Sequence, residues 1–168
     1  TIAELVESGG VRKANLPTLQ LAVLGVLAGV FIAFGAMFYT VAVTNSGLGF
    51  GITRIVGGLT FSLGLILVVV GGAELFTGNN LITIAWASRK VSTVKVLRNW
   101  SIVYLANFAG ALACAYVLHA SGTLNLAEGA VGETASAISA GKLSLGFEQA
   151  FIRGVLCNAL VCLAIWLT

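Results

Sequence analysis

The residues best suited to chemistry lie in one short polar run, GGAELFTGNN, from Gly71 to Asn80. Its acid, threonine and two asparagines can donate or accept hydrogen bonds, and its glycines permit tight turns. Apolar segments flank the run, FSLGLILVVV before it and LITIAWA after it. Because the chain shows no constellation of nucleophile, base and orienting acid, we expect binding or conduction at this run and do not expect an enzyme.

The composition predicts a membrane protein. The 168-residue chain is 58% hydrophobic and 9% charged, and its mean hydropathy is +1.02. A soluble domain has about 25% charged residues. Since a helical crossing needs about 20 apolar residues, the chain has room for about four crossings and for no separate soluble domain.

One transmembrane domain is predicted over residues 1–168, with four hydrophobic segments. Residues 1–18 precede these segments and are predicted to form an amphipathic helix on the membrane surface, with a mobile tail as the alternative. They lack the features of a secretory signal. The four segments cover residues 19–43, 55–87, 100–119 and 147–167.

The second segment has an unusual length. It contains 33 residues, which is too long for one straight crossing and too short for two crossings with a turn. We therefore predict a single crossing that is broken by a loop at 71–79. Non-helical backbone at membrane depth is tolerated only where protein buries it or a polar cavity solvates it, so the break indicates a pathway. The second half-helix is predicted to begin near Thr77 to Asn80, where Thr and Asn cap amides and the helix dipole favours anions.

Small residues at four-residue spacing predict close helix packing. Gly25 and Gly29 form one such pair, and Ala106 and Gly110 form another. Such pairs allow two helix backbones to approach closely, although they do not specify which helices meet.

The distribution of basic residues predicts the orientation in the membrane. Arg12 and Lys13 precede the first segment, and four further basic residues lie in the connection 88–99. By the positive-inside rule the N-terminus and this connection are cytoplasmic. The long connection 120–146 then faces outside.

Other classes of membrane protein fit less well. Cys114, Cys157 and Cys162 show no metal-ligand spacing, so we expect neither a metal nor a disulfide. A haem-binding anchor needs ligands within the bundle, and the single histidine, His119, lies at a helix end. An aquaporin-like pore for neutral solutes is the alternative, although the sole proline, Pro17, leaves no paired Asn-Pro-Ala boxes. We expect no cofactor and no nucleic-acid partner.

Two motifs carry a resemblance to a known family. GAELFTGNN in the broken second helix and CNALVCLAIW (Cys157 to Trp166) in the fourth resemble the formate/nitrite transporter family, and the likeness extends over the whole chain. The resemblance implies an aquaporin-like helical bundle and a homopentameric channel for small monovalent anions in the bacterial inner membrane. Formate is favoured, nitrite and hydrosulfide are alternatives, and proton coupling stays open.

The resemblance also implies a longer chain. Family members have six membrane segments arranged as an inverted repeat of three plus three, and this sequence matches the N-terminal half and the fourth helix. We expect either a fragment of a longer protein or the loss of a second half. The family's central histidine belongs to the part that is not matched, and its role is not transferred to His119.

Seven residues match positions with roles in the family. The resemblance implies an apolar pore constriction at Phe61 on the outer side and at Leu65, Leu75 and Phe76 on the inner side. It implies substrate contacts at Thr77 and Asn158 near the pore centre and at Lys142 in the outer vestibule.

Each of these assignments has a structural alternative. Apolar residues four apart, such as Phe61 and Leu65, share one helix face and are more often packing residues. Thr77 suits a helix cap, and Asn158 suits a hydrogen bond between helices. Lys142 on its own resembles an ordinary solvated lysine.

Glu74 is predicted to have a structural role. An ionised acid near the bilayer centre costs about 2.5 to 3.5 kcal/mol, and an anion pathway would not expose it. We expect its carboxylate to accept N–H bonds from the loop or to pair with a basic group near the cytoplasmic face.

Overall fold

The computed structural model describes all 168 residues, and its secondary structure is entirely helical. Four of the helices, α2, α3, α6 and α8, are long and apolar enough to cross a membrane. The predicted all-α membrane fold with four spans is therefore confirmed. The helices are α1 (Ile2–Ala14), α2 (Thr18–Val43), α3 (Gly49–Val70), α4 (Phe76–Asn79), α5 (Ile82–Ala87), α6 (Thr93–Ala120), α7 (Ala130–Leu143) and α8 (Phe147–Trp166), with a 3-10 turn at Thr123–Asn125.

The second membrane segment is broken, as the sequence predicts. Helix α3 ends in a Schellman motif, in which Gly72 has a left-handed φ of 63°. The amide of Gly72 donates to the Val69 carbonyl and that of Ala73 donates to the Val68 carbonyl. Glycine takes a left-handed conformation without steric cost, so the tandem glycines end the helix at this point.

The helical path resumes sooner than the sequence suggests. Leu75 is extended, and α4 begins directly after it at Phe76, so the non-helical stretch is shorter than the predicted loop 71–79. Asn80 and Leu81 keep right-handed helical dihedral angles between α4 and α5. The two short helices therefore continue nearly as one half-helix toward residue 87.

Close contact between backbones holds the bundle together. Helix α2 packs against both α3 and α6. A Cβ atom on Gly29 would lie 2.1 Å from the Asn107 carbonyl oxygen, and one on Gly110 would lie 2.1 Å from the Val26 carbonyl oxygen. The small-residue pairs thus lie where α2 and α6 touch, and at Gly29 and Gly110 this approach leaves no room for a Cβ atom.

Helix α1 closes one end of the bundle, which we call the α1 end. It packs on α5 and on the beginning of α6. Five buried apolar residues form the contact: Ala14, Ile82, Ala85, Val91 and Val96. Helix α1 is therefore fastened to the second half of the broken segment.

The opposite end, which we call the α7 end, contains a helix that the hydropathy pattern does not reveal. Helix α7 lies within the connection 120–146 and packs against α2 and the 3-10 turn. Val131 is its buried residue. Gly122 and Gly129, with φ of 75° and 92°, supply the left-handed turns that let the chain fold back. Helix α8 follows, packs chiefly on α4 and has no buried residue.

Candidate functional site

The carboxylate of Glu74 is buried and paired. Only 4% of Glu74 is exposed. Its Oε1 lies 2.9 Å from Nζ of Lys13, and its Oε2 accepts a 2.8 Å hydrogen bond from Nδ2 of Asn79. The predicted pairing of Glu74 with a basic group is confirmed, and the partner comes from the end of α1.

Two fully buried asparagines extend this contact into a network. Asn79 Oδ1 accepts a 3.2 Å bond from Lys13 Nζ, and its Nδ2 donates to Asn99 Oδ1 at 2.9 Å. Asn99 in turn donates to the Lys13 carbonyl at 3.1 Å. The network links α1, α4 and α6. The sequence predicts only that asparagines buried in an apolar segment need hydrogen-bond partners. It does not predict which residues those partners are.

A third asparagine, Asn107 of α6, supports the break itself. Its Oδ1 accepts the Phe76 amide at 2.8 Å, and its Nδ2 donates to the Glu74 carbonyl at 2.9 Å and the Gly25 carbonyl at 2.8 Å. The Glu74 amide donates to the Leu24 carbonyl at 3.2 Å. Helices α2 and α6 thus supply partners for three backbone groups of the break, the Glu74 amide, the Glu74 carbonyl and the Phe76 amide, which would be costly to leave unpaired at membrane depth.

The predicted capping of the second half-helix is wrong. No side chain of the residue preceding α4 caps it, and the first amide is satisfied by Asn107 from another helix. Local sequence suggested Thr77 or an asparagine of the run because these types cap helices. The tertiary contact replaces that local device and leaves the Thr77 hydroxyl free of any hydrogen bond within the chain.

Two predicted substrate-contacting residues meet at one cavity beside the break. This break cavity of about 500 Å³ is bordered by Phe76, Thr77, Asn80 and Asn158. Asn80 Nδ2 donates to Asn158 Oδ1 at 3.0 Å, so Asn158 does join two helices, as its structural alternative predicts. The same cavity nevertheless exposes polar side chains of both helices.

A larger cavity opens at the α7 end. This α7-end cavity of about 1020 Å³ is bordered by Phe61, Lys142, Arg54 and Arg153. Arg54 donates to the Tyr39 hydroxyl, and its guanidinium lies 5.1 Å from the centre of the Phe50 ring. The chain's ion pairs involve other residues, so none of the three cations is paired with a carboxylate of this chain. Sequence reasoning identified Lys142 and missed the role of the two arginines in lining this space.

The four predicted constriction residues lie at different places. Phe61 borders the α7-end cavity and Phe76 borders the break cavity. Leu75 borders a third cavity of about 260 Å³, the α1-end cavity, beside Lys13 and Glu74.

The surroundings of the constriction residues differ as well. Leu65 is half-buried on α3 and borders none of the three cavities. Phe76 is held edge-to-face by Tyr104 and Trp100, with ring centres 5.3 Å and 6.3 Å apart. Leu75 packs on the buried cluster of Ala28, Val68 and Ala73.

The fold and site define a multi-spanning membrane protein built around a broken helix. The formate/nitrite transporter family matches residues 1–168, and the chain belongs to this family. It is 40% identical to the formate channel FocA of Haemophilus influenzae over 98% of this chain and 58% of that protein. It is 39% identical to FocA of Escherichia coli K12 over 99% of this chain and 59% of that protein.

Solved structures give the same result. A pentameric formate channel with formate bound superposes with a TM-score of 0.79 and 39% identity, covering 89% of this chain and 59% of that one. An ion channel of the same family superposes with a TM-score of 0.87 and 26% identity, covering 99% of this chain and 67% of that one. The resemblance seen in the sequence is confirmed, and the chain spans less than two thirds of the length of the curated relatives described above.

Proposed function

We propose that the full-length protein conducts small monovalent anions, formate first, and does not act as an enzyme. One observation carries the proposal: the unbonded Thr77 hydroxyl and the Asn158 amide, on two different helices, border the same cavity beside the break. A hydroxyl and amide N–H groups are donors that suit an anion. The likeness to a formate channel with formate bound supports formate, with nitrite and hydrosulfide as alternatives.

The path that we propose begins at the α7-end cavity. Its three cations, Arg54, Lys142 and Arg153, raise the local anion concentration by long-range attraction. The anion passes the apolar side chain of Phe61, meets Thr77 and Asn158, and leaves past the inner constriction of Leu65, Leu75 and Phe76. A weak acid crosses apolar rings more cheaply as its neutral form, so proton coupling is part of the proposal.

The orientation follows from the charges. We propose that the α1 end faces the cytoplasm of a bacterial inner membrane, because the connection 88–99 carries four basic residues and such loops stay inside. The α7-end cavity then opens outward.

We propose a homopentamer with its protomers packed side by side in the bilayer. Helix α6 exposes large apolar and aromatic side chains, including Tyr104, Phe108 and Tyr116, which suit lipid or a neighbouring subunit. The solved relative described as a pentameric formate channel supports this assembly.

Stopped-flow uptake into proteoliposomes tests the function. The full-length protein is expected to pass formate rapidly and glycerol poorly. Thr77→Val, which keeps the shape and removes the donor, is expected to lower formate flux by about tenfold, the order of one lost hydrogen bond to a charged group. Thr60→Val is the matched control, because the Thr60 hydroxyl bonds to carbonyls of its own helix at 2.9 Å and 3.1 Å. Glycerol flux without anion flux would favour the neutral-solute pore.

A further inference from the structure

Asn107 contacts the two peptide groups on either side of one residue. The Glu74 carbonyl belongs to the peptide that precedes Leu75, and the Phe76 amide belongs to the peptide that follows it. Asn107 Nδ2 donates to the first at 2.9 Å, and Asn107 Oδ1 accepts from the second at 2.8 Å. A single side-chain amide therefore restrains both backbone dihedral angles of Leu75.

We call these two hydrogen bonds of Asn107 the clamp on Leu75, and a third hydrogen bond of Asn107 anchors it. Its Nδ2 also donates to the Gly25 carbonyl of α2 at 2.8 Å. Helices α2 and α6 approach closely here, since a Cβ on Gly25 would lie 2.7 Å from the Ala106 Cβ. The amide plane is thus fixed by three partners. Only an amide side chain supplies one acceptor and two donors in this arrangement.

We propose that Asn107 is a specificity-determining positioning residue, which sets the aperture at Leu75 by clamping the peptide groups on both sides of it. The proposal deepens the proposed function, because it rests on Leu75 forming part of the inner constriction. Leu75 is extended, with φ −100° and ψ 128°. Its carbonyl accepts the first hydrogen bond of α4, from the Asn79 amide at 2.9 Å. The peptide groups on both sides of Leu75 are bonded by Asn107, so the clamp fixes the backbone from which the Leu75 side chain projects.

Asparagine between helices is also common as simple glue, which stabilises a bundle without affecting selectivity. The two roles predict different results. If Asn107 only stabilises the bundle, its removal lowers the amount of folded channel and reduces the flux of every solute in proportion. If Asn107 clamps Leu75, its removal lets Leu75 move, so the flux of larger solutes rises relative to the flux of small ones. The ratio of two fluxes in one sample separates these outcomes because it does not depend on the number of channels.

The experiment measures formate and lactate uptake by the full-length protein in proteoliposomes. Asn107→Leu is expected to raise the lactate-to-formate ratio by roughly tenfold, the order of losing one or two hydrogen bonds. Asn107→Asp keeps the size of the side chain and loses both N–H donors, and it is expected to shift the ratio in the same direction. It replaces the leucine variant in the test if that variant does not fold. The matched control is Asn99→Leu, which removes a buried amide from the same helix away from the clamp.

A double-variant cycle tests whether Asn107 acts through Leu75. Leu75→Ala opens the aperture directly, and adding Asn107→Leu to it is expected to change the ratio no further. An unchanged ratio in both Asn107 variants, with flux reduced as in Asn99→Leu, would overturn the clamp. Wild-type flux of glycerol without formate would overturn the proposed anion conduction instead, and the ratio is then measured with glycerol and a larger polyol.

Discussion

The α1-end network and the α7-end cavity use positive charge in opposite ways. At the α1 end, Lys13 is paired with the buried Glu74, and two asparagines complete the hydrogen bonds around them. No buried side-chain nitrogen or oxygen of the chain lacks a partner. At the α7 end, Arg54, Lys142 and Arg153 border an open cavity without any paired carboxylate.

The difference separates charges that are paired inside the fold from charges that border a cavity without an ion pair. A buried charge needs a partner because its desolvation is costly, and once paired it no longer attracts mobile ions. A charge that faces an open cavity without a paired carboxylate keeps its long-range field. We therefore expect changes at the α1 end to affect stability first and changes at the α7-end cavity to affect ion capture first.

The largest loss of stability is expected from a substitution at the contact between α2 and α6. Gly110→Ala places a Cβ 2.1 Å from the Val26 carbonyl oxygen, where the backbone cannot yield without separating the helices. We expect a loss of stability above about 3 kcal/mol, beyond ordinary overpacking. Thermal unfolding of the full-length protein in detergent measures it. Gly58→Ala is the matched control, since nothing lies within 4 Å of its Cβ, and an equal loss there would contradict the packing argument.

The ion pair at the α1 end gives the next largest effect. Lys13→Met leaves Glu74 buried without its cation and is expected to cost about 3 to 5 kcal/mol, as when one partner of a buried pair is removed. Adding Glu74→Gln should recover much of this loss. Thermal unfolding provides the measurement, with Arg12→Met as control because exposed Arg12 forms no ion pair. Equal losses in Lys13→Met and Arg12→Met would show that the pair does not stabilise the fold.

Substituting a cation that borders the α7-end cavity is expected to change the anion flux and not the stability of the fold. Arg153→Gln should lower formate uptake by roughly threefold at low ionic strength, and the effect should shrink at high salt as the charge is screened. Its unfolding temperature should stay near that of the wild type. Arg89→Gln, at the opposite end, is the control. A threefold loss that is independent of salt would argue against long-range attraction.

The smallest effect concerns the exposed attachment of α1. A hydrogen bond from Lys90 lowers the pKa of Glu7 below its ordinary value of 4.5. Since the pKa is lower in the folded state, the pair stabilises attachment above pH 4.5 and loses that contribution as the pH falls through the folded-state pKa. Hydrogen exchange of α1 should therefore differ between wild type and Glu7→Gln at neutral pH, and the two should converge in acid. A constant difference across this range would contradict the assignment.

Several features follow from local sequence and are predictable. Hydropathy over about 20 residues predicts the four spans, because each span must itself be apolar in lipid. The tandem glycines before Ala73 predict the break together with the polar run that follows them, because glycine permits the left-handed turn that can end a helix. Tandem glycines alone do not suffice, since Gly57 and Gly58 lie inside α3. The need of Glu74 for a partner was predictable for the same reason, since a buried charge is costly in any fold.

Helix α7 is not predicted by the hydropathy of the sequence. Helix α7 forms in a stretch of small and polar residues, AVGETASAISAGKL, whose composition alone does not distinguish a helix from a loop. Its position depends on contacts with α2 and the 3-10 turn, which no local pattern contains.

Local sequence patterns therefore specify the number of spans, the place of the break and the demand for polar partners within it. Which residues meet that demand depends on how the helices pack together. Lys13 reaches Glu74 across 61 positions of the chain, and Asn107 reaches Phe76 across 31. Local propensity cannot choose such partners, because the choice depends on which helices come into contact once the glycines let α2 and α6 touch.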